Sequence, residues 1–170
     1  MKNPILALFL LLSFPLVWGQ SGTTISSGTI TFNFVEKDVD GSISGFESTS
    51  KIDPDNLENS TIKGSVAVET LDTNNFLRNW SLKGSKYFDA DAYPKIFFES
   101  TLIKVEGSTI LATGRLTIKD ISKPITITFT KNGNTLKGTT TLFSSDFGIT
   151  ILKKGRESNK VTVRFNLKLK

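Results

Sequence analysis

The chain has 170 residues, with 21 Lys and Arg against 16 Asp and Glu, a net charge of +5, and neither cysteine nor histidine. The missing residue types exclude disulfides, Ser-His-Asp and Cys-His nucleophilic sites, and zinc sites of the usual Cys/His kind. The charge is mild and spread out except for a basic cluster over 153–170, whereas a nucleic-acid-binding protein normally shows a stronger basic face. We interpret the cluster as the solvated side of a terminal strand, with attraction to an anionic membrane surface as the alternative.

The N-terminus has the pattern of a secretory signal peptide. Lys2 precedes an uncharged apolar run from Ile5 to Trp18. This run is shorter than the about 20 apolar residues that a membrane-spanning helix needs. We therefore predict a signal peptide over 1–19 and one exported domain over 20–170, located in the periplasm or secreted. A domain of roughly 150 residues buries about 70% of its unfolded surface, so it can fold without disulfides.

The first part of the mature chain alternates apolar and polar residues, which is the period of a half-buried strand. The apolar positions of the first strand are Ile30, Phe32 and Phe34. Asp40-Gly41 then predicts a hairpin turn, and a second strand is expected from about 42 to 52, with a bulge or bend at Gly45. The run 53–56 has the composition of a turn.

The later strands repeat this alternation to the C-terminus. Each has apolar residues or glycine at every second position, and these are Ile62, Gly64, Val66 and Val68; Ile96 and Phe98; Ile110, Ala112, Gly114, Leu116 and Ile118; Ile125, Ile127 and Phe129; Leu136, Gly138, Thr140 and Leu142; and Val161, Val163, Phe165, Leu167 and Leu169. Asn132-Gly133 predicts a hairpin turn. Together these strands predict an all-β fold, an extended antiparallel up-and-down β-barrel of about eight strands, because closure removes the free sheet edges.

The segment 73–82 departs from the alternation and predicts a short helix. Phe76, Leu77 and Trp80 fall at i, i+1 and i+4, which places them on one helical face, and Thr73 is a suitable N-cap. We expect this helix to cap one end of the barrel through that apolar face. With Trp80 buried there, its replacement by alanine is expected to cost about 3–5 kcal/mol.

The inward-facing side chains of the strands are the candidate ligand-contacting residues. They are Phe32, Phe34, Val66, Val68, Ile96, Phe98, Leu116, Ile118, Ile127 and Phe129. Phe98 and Phe129 are the best candidates for touching a bound molecule, since each ends an alternating run with a large flat side chain. Inward-facing glycines at 64, 114 and 138 either bend the sheet or leave room for a ligand. The many phenylalanines either fill a core or line a cavity.

Two groups of carboxylates are candidates for chemistry or metal binding. Asp89 and Asp91 form a conceivable glycosidase-like pair, but capping of turns by short carboxylates is the favoured interpretation. Asp53, Asp55 and Glu58 lack the glycine and the third oxygen ligand of an EF-hand loop, so they too predict a turn. We therefore expect neither catalysis nor a metal site.

Several separated motifs resemble those of the YceI family in order and spacing. They are Leu71-Asp72-Thr73-Asn74, Arg78, Leu82-Lys83-Gly84-Ser85, Tyr87-Phe88-Asp89-Ala90, Tyr93-Pro94-Lys95-Ile96-Phe97-Phe98-Glu99-Ser100, Gly114-Arg115-Leu116-Thr117-Ile118-Lys119, Lys123-Pro124-Ile125 and Asp146-Phe147-Gly148-Ile149. The resemblance extends over nearly the whole mature chain. It implies a lipocalin-like barrel, mostly found in bacterial periplasms, with an apolar tunnel that accepts polyisoprenoid chains and with no established catalysis.

The chain departs from the family pattern at three places. Where many members have Arg-Asp-x-His-Leu, it has Arg-Asn-Trp-Ser-Leu over 78–82, so the acidic residue and the histidine are absent. Ser144 stands where many members have an arginine before the Asp-Phe-Gly motif, and Asp120 occupies a turn position that is often glycine. These changes leave the predicted barrel intact.

Arg78 completes the set of candidate ligand-binding residues. Near the barrel mouth, its guanidinium would pair with a phosphate or a quinone oxygen at the polar end of a ligand. The alternative, which we favour, is an ion pair with a carboxylate such as Asp89 that holds the helix on the barrel.

The sequence therefore predicts a binding protein and not an enzyme. Its partner is an apolar, isoprenoid-type lipid or quinone held inside the barrel, with no other cofactor, no nucleic acid and no transmembrane segment in the mature chain. The alternative function is a stress-linked structural or interaction protein whose barrel is packed and holds no ligand. The oligomeric state is left open, with a homodimer as one option.

Overall fold

The computed structural model describes residues 22–170, so the predicted signal peptide over 1–19 lies outside the described residues. The described part of the chain contains nine strands and one α-helix. The strands are β1 Ile25–Phe34, β2 Val39–Ile43, β3 Glu47–Ser48, β4 Lys63–Ala67, β5 Lys95–Glu106, β6 Thr109–Ile118, β7 Ile121–Asn132, β8 Thr135–Phe143 and β9 Lys160–Leu169, and the helix is α1 Phe76–Lys83.

The strands form one antiparallel sheet in the order β2-β1-β9-β8-β7-β6-β5-β4-β3. Every neighbouring pair except β1 and β9 is consecutive along the chain, which is the up-and-down arrangement. β1 and β9 pair along their length, from Ile25 opposite Leu169 to Phe34 opposite Val161. The predicted all-β, antiparallel up-and-down architecture of about eight strands is confirmed.

The edge strands of this sheet, β2 and β3, are two halves of one bent strand. They are three residues apart, and Gly45 between them has φ of 66°, in the left-handed region that favours glycine. β2 pairs with β1, whereas β3 pairs with β4. Isolated bridges also join Ser42 of β2 to Asp72, and Thr23, before β1, to Ile52, after β3. The bent strand thus connects both edges and closes the barrel, as the predicted bend at Gly45 allows.

The barrel has two unlike ends. One of them, here named the closed end, carries the first and last described residues of the chain. It also carries the tight turns at Gly107 and Gly133. The other, which we name the helix end, carries α1, the 3-10 turn Val35–Lys37 and the segment 144–159. Strand directions place all three of these connections on the same side, because β1, β4 and β8 run toward it and β2, β5 and β9 run away from it.

Apolar side chains fill the interior at the closed end. The buried cluster there consists of Ile25, Ile52, Ile62, Ile103, Ile110, Ala112, Ile127, Phe129, Leu136, Leu167 and Leu169, none more than 8% exposed. Complete burial of one large aliphatic or aromatic side chain stabilises a fold by about 1.5–3 kcal/mol. Much of the hydrophobic stabilisation of the barrel therefore lies at this end.

A buried asparagine organises the segment that precedes β9 at the helix end. Asn159 is 1% exposed, and its Oδ1 accepts the backbone N–H groups of Ile151 (2.8 Å) and Leu152 (3.0 Å). Its Nδ2 donates to the carbonyls of Leu152 (2.8 Å) and Gly155 (2.9 Å). One side chain thus pairs backbone groups of an irregular segment that would otherwise be unsatisfied.

The predicted hairpin turn at Asp40-Gly41 is wrong. Both residues lie within β2, and Gly41 stands opposite Phe32. The chain turns earlier, at Val35–Lys37, where Asp38 adopts φ of 47°. Gly41 is needed in the strand because a Cβ there would overlap the ring of Phe32.

Two other turn predictions are confirmed. β7 ends at Asn132, β8 begins at Thr135, and Gly133 between them has φ of 54°. The Asp53 carboxylate accepts the backbone N–H groups of Asp55 and Asn56, both at 3.0 Å. These backbone hydrogen bonds hold the pKa of Asp53 below its ordinary value, and the bond from Asn56 contributes most. The ionised carboxylate therefore caps this turn.

Candidate functional site

An apolar cavity of about 600 Å³ lies inside the barrel toward the helix end. Its floor includes Ile127 and Phe129 of the closed-end cluster, and its walls include the half-buried Phe32, Ile96 and Phe98. Small-molecule sites usually measure about 300–1,000 Å³, whereas a water molecule occupies about 30 Å³. The volume therefore contradicts the alternative of a fully packed barrel.

The charged residues that line this cavity are all cationic. They are Lys37, Lys63 and Arg78, and no Asp or Glu of the described residues is among the lining side chains. Lys63 is paired with Glu99 at 3.0 Å. Within 22–170, neither Lys37 nor Arg78 forms an ion pair with a carboxylate. The cavity thus combines apolar walls with two exposed, unpaired cations near the helix end.

Nearly all the candidate residues border the cavity. These are Phe32, Phe34, Val66, Arg78, Ile96, Phe98, Leu116, Ile118, Ile127 and Phe129. Val68 does not, although it is only 1% exposed. It lies in the 3-10 turn that follows β4, so the strand parity that assigned it to the interior ends at Ala67. Contact between the bordering residues and a ligand stays a prediction.

Glycines in the barrel wall allow the close approach of phenylalanine rings and, at Gly64 and Gly114, also of the carbonyl oxygens of Glu47 and Glu99. The pairs are Phe32 on Gly41, Phe46 on Gly28 and Gly64, Phe98 on Gly114, and Phe129 on Gly138, and each ring has an atom within 3.3 Å of the place where a Cβ would stand. A ring that lies over glycine backbone stays close to the wall. The glycines therefore let these rings lie close to the barrel wall.

The predicted helix exists, but its predicted apolar face does not cap the barrel. α1 begins one residue after Asn75, which is the N-cap in place of Thr73: its Oδ1 accepts the backbone N–H of Arg78 at 2.9 Å. The predicted capping side chains point away from the barrel, since Phe76, Leu77 and Trp80 are 79%, 73% and 74% exposed. The prediction that Trp80 is buried is therefore wrong. The residues of α1 that border the cavity are Arg78, Ser81 and Leu82.

Asn79 determines which face of α1 is turned toward the cavity. Its Oδ1 accepts the N–H (2.8 Å) and the hydroxyl (2.7 Å) of Thr73, and its Nδ2 donates to the carboxylate of Asp72 at 2.7 Å. The hydrogen bond from Asn79 is the main reason that the pKa of Asp72 lies below its ordinary value. The acid that many family members carry at this position would face the Asp72 carboxylate, so the amide suits this chain.

Arg78 is not clamped to Asp89, so the favoured sequence interpretation is wrong. Arg78 makes no ion pair within the described chain. Asp89 lies in the turn after α1 with φ of 52°, and its backbone N–H donates to the carbonyl of Gly84 at 3.0 Å. Neither Asp89 nor Asp91 borders the cavity. The guanidinium of Arg78 is thus available to a ligand at the cavity rim.

Several lining residues were missed by the sequence prediction. Val163 and Phe165 belong to the alternating run of β9, and the same parity rule would have included them. Phe46 and Phe88 lie in irregular segments, where alternation gives no direction. Lys37 lies in a turn, and no pattern marks it.

The carboxylates and helices of residues 22–170 bear on metal binding and on membrane spanning. In that range, no three carboxylate side chains come together in a way that could hold a metal ion. No helix there has the length and apolar character needed to cross a membrane.

A model of the YceI-like domain matches residues 21–169. The chain belongs to this family. A UPF0312 protein of Photorhabdus laumondii is 31% identical to the YceI-like chain over 85 residues, which are 50% of this chain and 44% of that protein. Protein YceI of Salmonella arizonae is 28% identical over 87 residues, 51% of this chain and 46% of that protein. The matched part of the chain thus spans about half the length of these curated relatives.

Solved structures share the fold of this YceI-like chain. BcnA of Burkholderia cenocepacia superposes with a TM-score of 0.72 at 23% identity, covering 82% of this chain and 94% of BcnA. The Campylobacter jejuni YceI protein gives 0.65 at 20%, with coverages of 78% and 85%. A polyisoprenoid binding domain from Saccharophagus degradans gives 0.60 at 10%, with coverages of 87% and 97%. At these identities the likeness shows the fold alone.

The Asp-Phe-Gly motif of this YceI-like chain has an arginine partner from a later segment. Arg156 donates to both carboxylate oxygens of Asp146, at 2.8 and 2.7 Å, and lies 3.5 Å from the ring centre of Phe143. Its hydrogen bonds are the main cause of the lowered pKa of Asp146. Arg156 therefore supplies a guanidinium to this motif, although Ser144 has replaced the arginine that often precedes it.

Proposed function

We propose that this YceI-like protein is a non-catalytic binding protein that holds the apolar chain of an isoprenoid-type lipid or quinone inside its barrel. The apolar chain occupies the cavity, and the polar end of the ligand lies near Lys37 and Arg78. The observation that carries the proposal is an apolar cavity of about 600 Å³ whose charged lining residues are all cationic.

The two unpaired cations favour an anionic head group. Guanidinium matches phosphate oxygens in geometry and charge, and charge-assisted hydrogen bonds are roughly twice as strong as neutral ones. A quinone carbonyl also accepts hydrogen bonds from these cations, but it carries no charge, so it gains neither the ion-pair attraction nor the bidentate match of a phosphate. Between the two ligand classes, Lys37 and Arg78 therefore favour a polyprenyl phosphate over a quinone.

Two further facts support a binding role of this kind. The chain has the fold of the polyisoprenoid binding domain from Saccharophagus degradans. The side chains that line the cavity are predominantly aliphatic and aromatic, as in most sites for apolar ligands. We also propose that the protein acts in the periplasm or outside the cell, on the basis of the segment 1–19. Cell fractionation, with the mass of the mature N-terminus, tests that location.

Mass analysis of bound lipids tests the proposed ligand. Native mass spectrometry of protein purified without detergent should show one isoprenoid-type molecule per chain. Lipid-free protein should then take up polyprenyl phosphate more tightly than ubiquinone or free polyprenol of similar chain length. Arg78→Gln should weaken binding of the phosphate and leave that of polyprenol unchanged. The proposal would be contradicted if no lipid co-purified and none of the three compounds was taken up.

Filling the cavity tests where the ligand lies. Val163 borders the cavity, whereas Val105, at the closed-end rim of β5, is 37% exposed and does not border it. Val163→Trp should abolish lipid uptake at a cost in stability of about 1–3 kcal/mol, and Val105→Trp should leave uptake unchanged. Phe98→Ala widens the cavity and should shift the preferred chain length upward. Equal uptake by both tryptophan variants would place the ligand elsewhere.

A further inference from the structure

The outer face of α1 is an apolar surface next to the cavity. Phe76, Leu77 and Trp80, here named the α1 patch, are the most exposed large apolar side chains of the described residues, at 79%, 73% and 74%. Single exposed apolar side chains are ordinary on soluble proteins, but contiguous large ones mark interaction sites. The patch therefore needs a partner to cover it.

The patch is held in a fixed orientation relative to the cavity. On the opposite face of the same helix, Arg78 and Leu82 border the cavity. Asn79 ties the helix to Thr73 and Asp72, so the helix cannot roll to bury the patch without losing those hydrogen bonds. A surface that covers the patch therefore also lies against the helix end of the barrel.

The charges around the patch match an anionic surface. From Thr73 to Phe88 the chain contains three basic residues, Arg78, Lys83 and Lys86, and no acidic one. Lys83 is partly offset by Glu69 at 3.6 Å, which leaves Arg78 and Lys86 without a carboxylate partner within 22–170. Short amphipathic helices with Trp, Phe and Leu on one side and basic residues beside them bind in the head-group layer of membranes.

We propose that the α1 patch inserts into the head-group layer of an anionic lipid bilayer and so places the cavity against the membrane. This inference goes beyond the bound ligand, since it concerns the surface at which the protein would load or deliver any apolar molecule. A second copy of the chain fits the patch less well. Standard interfaces use about 20–30 residues a side, far more than three, and paired helices would bring like charges together.

The fluorescence of Trp80 reports directly on this insertion. Tryptophan occurs only at positions 18 and 80 of the chain, so protein that begins at residue 20 has Trp80 alone. All strands and both closing bridges lie within the described residues, so this protein retains the whole barrel. Its emission should shift to the blue with phosphatidylcholine–phosphatidylglycerol vesicles, and lipids brominated near the head group should quench it. Pure phosphatidylcholine vesicles should bind more weakly.

Matched variants separate the patch from general apolar exposure. Phe76→Ser with Leu77→Ser should weaken partitioning onto the anionic vesicles by at least about tenfold, and Lys86→Gln should weaken it about fivefold. Leu102→Ser with Val105→Ser, which changes exposed apolar residues of β5, should have no effect. Each variant keeps its circular dichroism and its uptake of polyprenyl phosphate in solution, because none of these residues borders the cavity.

Three results would overturn the proposal. The first is a Trp80 emission that does not shift with anionic vesicles. The second is a loss of vesicle binding in the β5 control as large as that in the Phe76→Ser, Leu77→Ser variant. The third is a blue shift without lipid that depends on protein concentration and accompanies a dimer in sedimentation. The last result would assign the patch to a second copy. Failure of lipid uptake in solution, with vesicle binding intact, would instead contradict the proposed function and leave this inference standing.

Discussion

The two ends of the barrel are built from the same alternating strands but are stabilised in different ways. At the closed end, inward side chains such as Ile127 and Phe129 meet across the interior and are almost fully buried. At the helix end, side chains such as Phe32 only line a cavity, and polar residues such as Asn79 and Asn159 hold the connections in place. The difference indicates that stability and binding capacity are separated along the barrel axis.

A matched pair of phenylalanines gives the sharpest test of this comparison. Phe129 at the closed end and Phe32 at the helix end each lie on a glycine of the neighbouring strand. Phe129→Ala should lower the free energy of unfolding by about 3–5 kcal/mol, since that ring is fully buried. Phe32→Ala should cost about 1–2 kcal/mol, because its ring is only half-buried. Urea unfolding measures both, and equal losses would show that the two ends are packed alike.

Asn159→Ala tests the polar contribution at the helix end. The change leaves buried backbone groups of residues 151, 152 and 155 without their partner. We expect a loss of about 3 kcal/mol in chemical denaturation, since each unsatisfied buried group costs about 1–3 kcal/mol. Asn134→Ala, in the exposed turn at the closed end, is the control and should change stability little. A loss below that of Phe32→Ala would mean that Asn159 is not a structural support.

Asn79→Asp tests the tie between α1 and the barrel through its pH dependence. In the wild type, the pKa of Asp72 is lowered, so its contribution to stability is present above the unfolded pKa and disappears as pH falls through the folded pKa. In the variant, two facing carboxylates raise their pKa values, so stability is lost at neutral pH and returns on acidification. Hydrogen exchange of the α1 amides against pH measures this. Faster exchange in the variant at every pH would point to a change of fold.

Trp80→Ala should have the smallest effect. With its side chain 74% exposed, we expect a change within about 0.5 kcal/mol in thermal or urea unfolding. A loss near the 3–5 kcal/mol expected from the sequence would mean that the helix packs through Trp80 in solution. That outcome would also remove the surface proposed for membrane docking.

The side of the sheet to which each strand residue points was predictable from the sequence. How completely those side chains fill the barrel interior was not. Alternation decides whether Phe32 or Phe129 points inward, yet it contains no information on the distance to the opposite wall. The glycines at 41 and 138 were misinterpreted for a related reason. Their role depends on a ring in the neighbouring strand, so it becomes visible only once the register is known.

The helix shows a second limit of the sequence pattern. Phe76 and Trp80 have the correct spacing for one face, but an apolar helix face need not be a buried one. In the fold, the hydrogen bonds of Asn79 to Thr73 and Asp72 orient the helix, and Arg78 and Leu82 are turned inward. Long-range polar contacts of this kind leave no periodic trace in the sequence.

The pairing of β1 with β9 has a consequence for how the chain folds. Ser26 and Lys168, which are 142 positions apart, are joined by a hydrogen bond in this pair. During synthesis, the first strand has no partner on that side until the last strand has emerged. Such high contact order slows folding. The barrel therefore closes, and its cavity forms, only after the last strand has paired with the first.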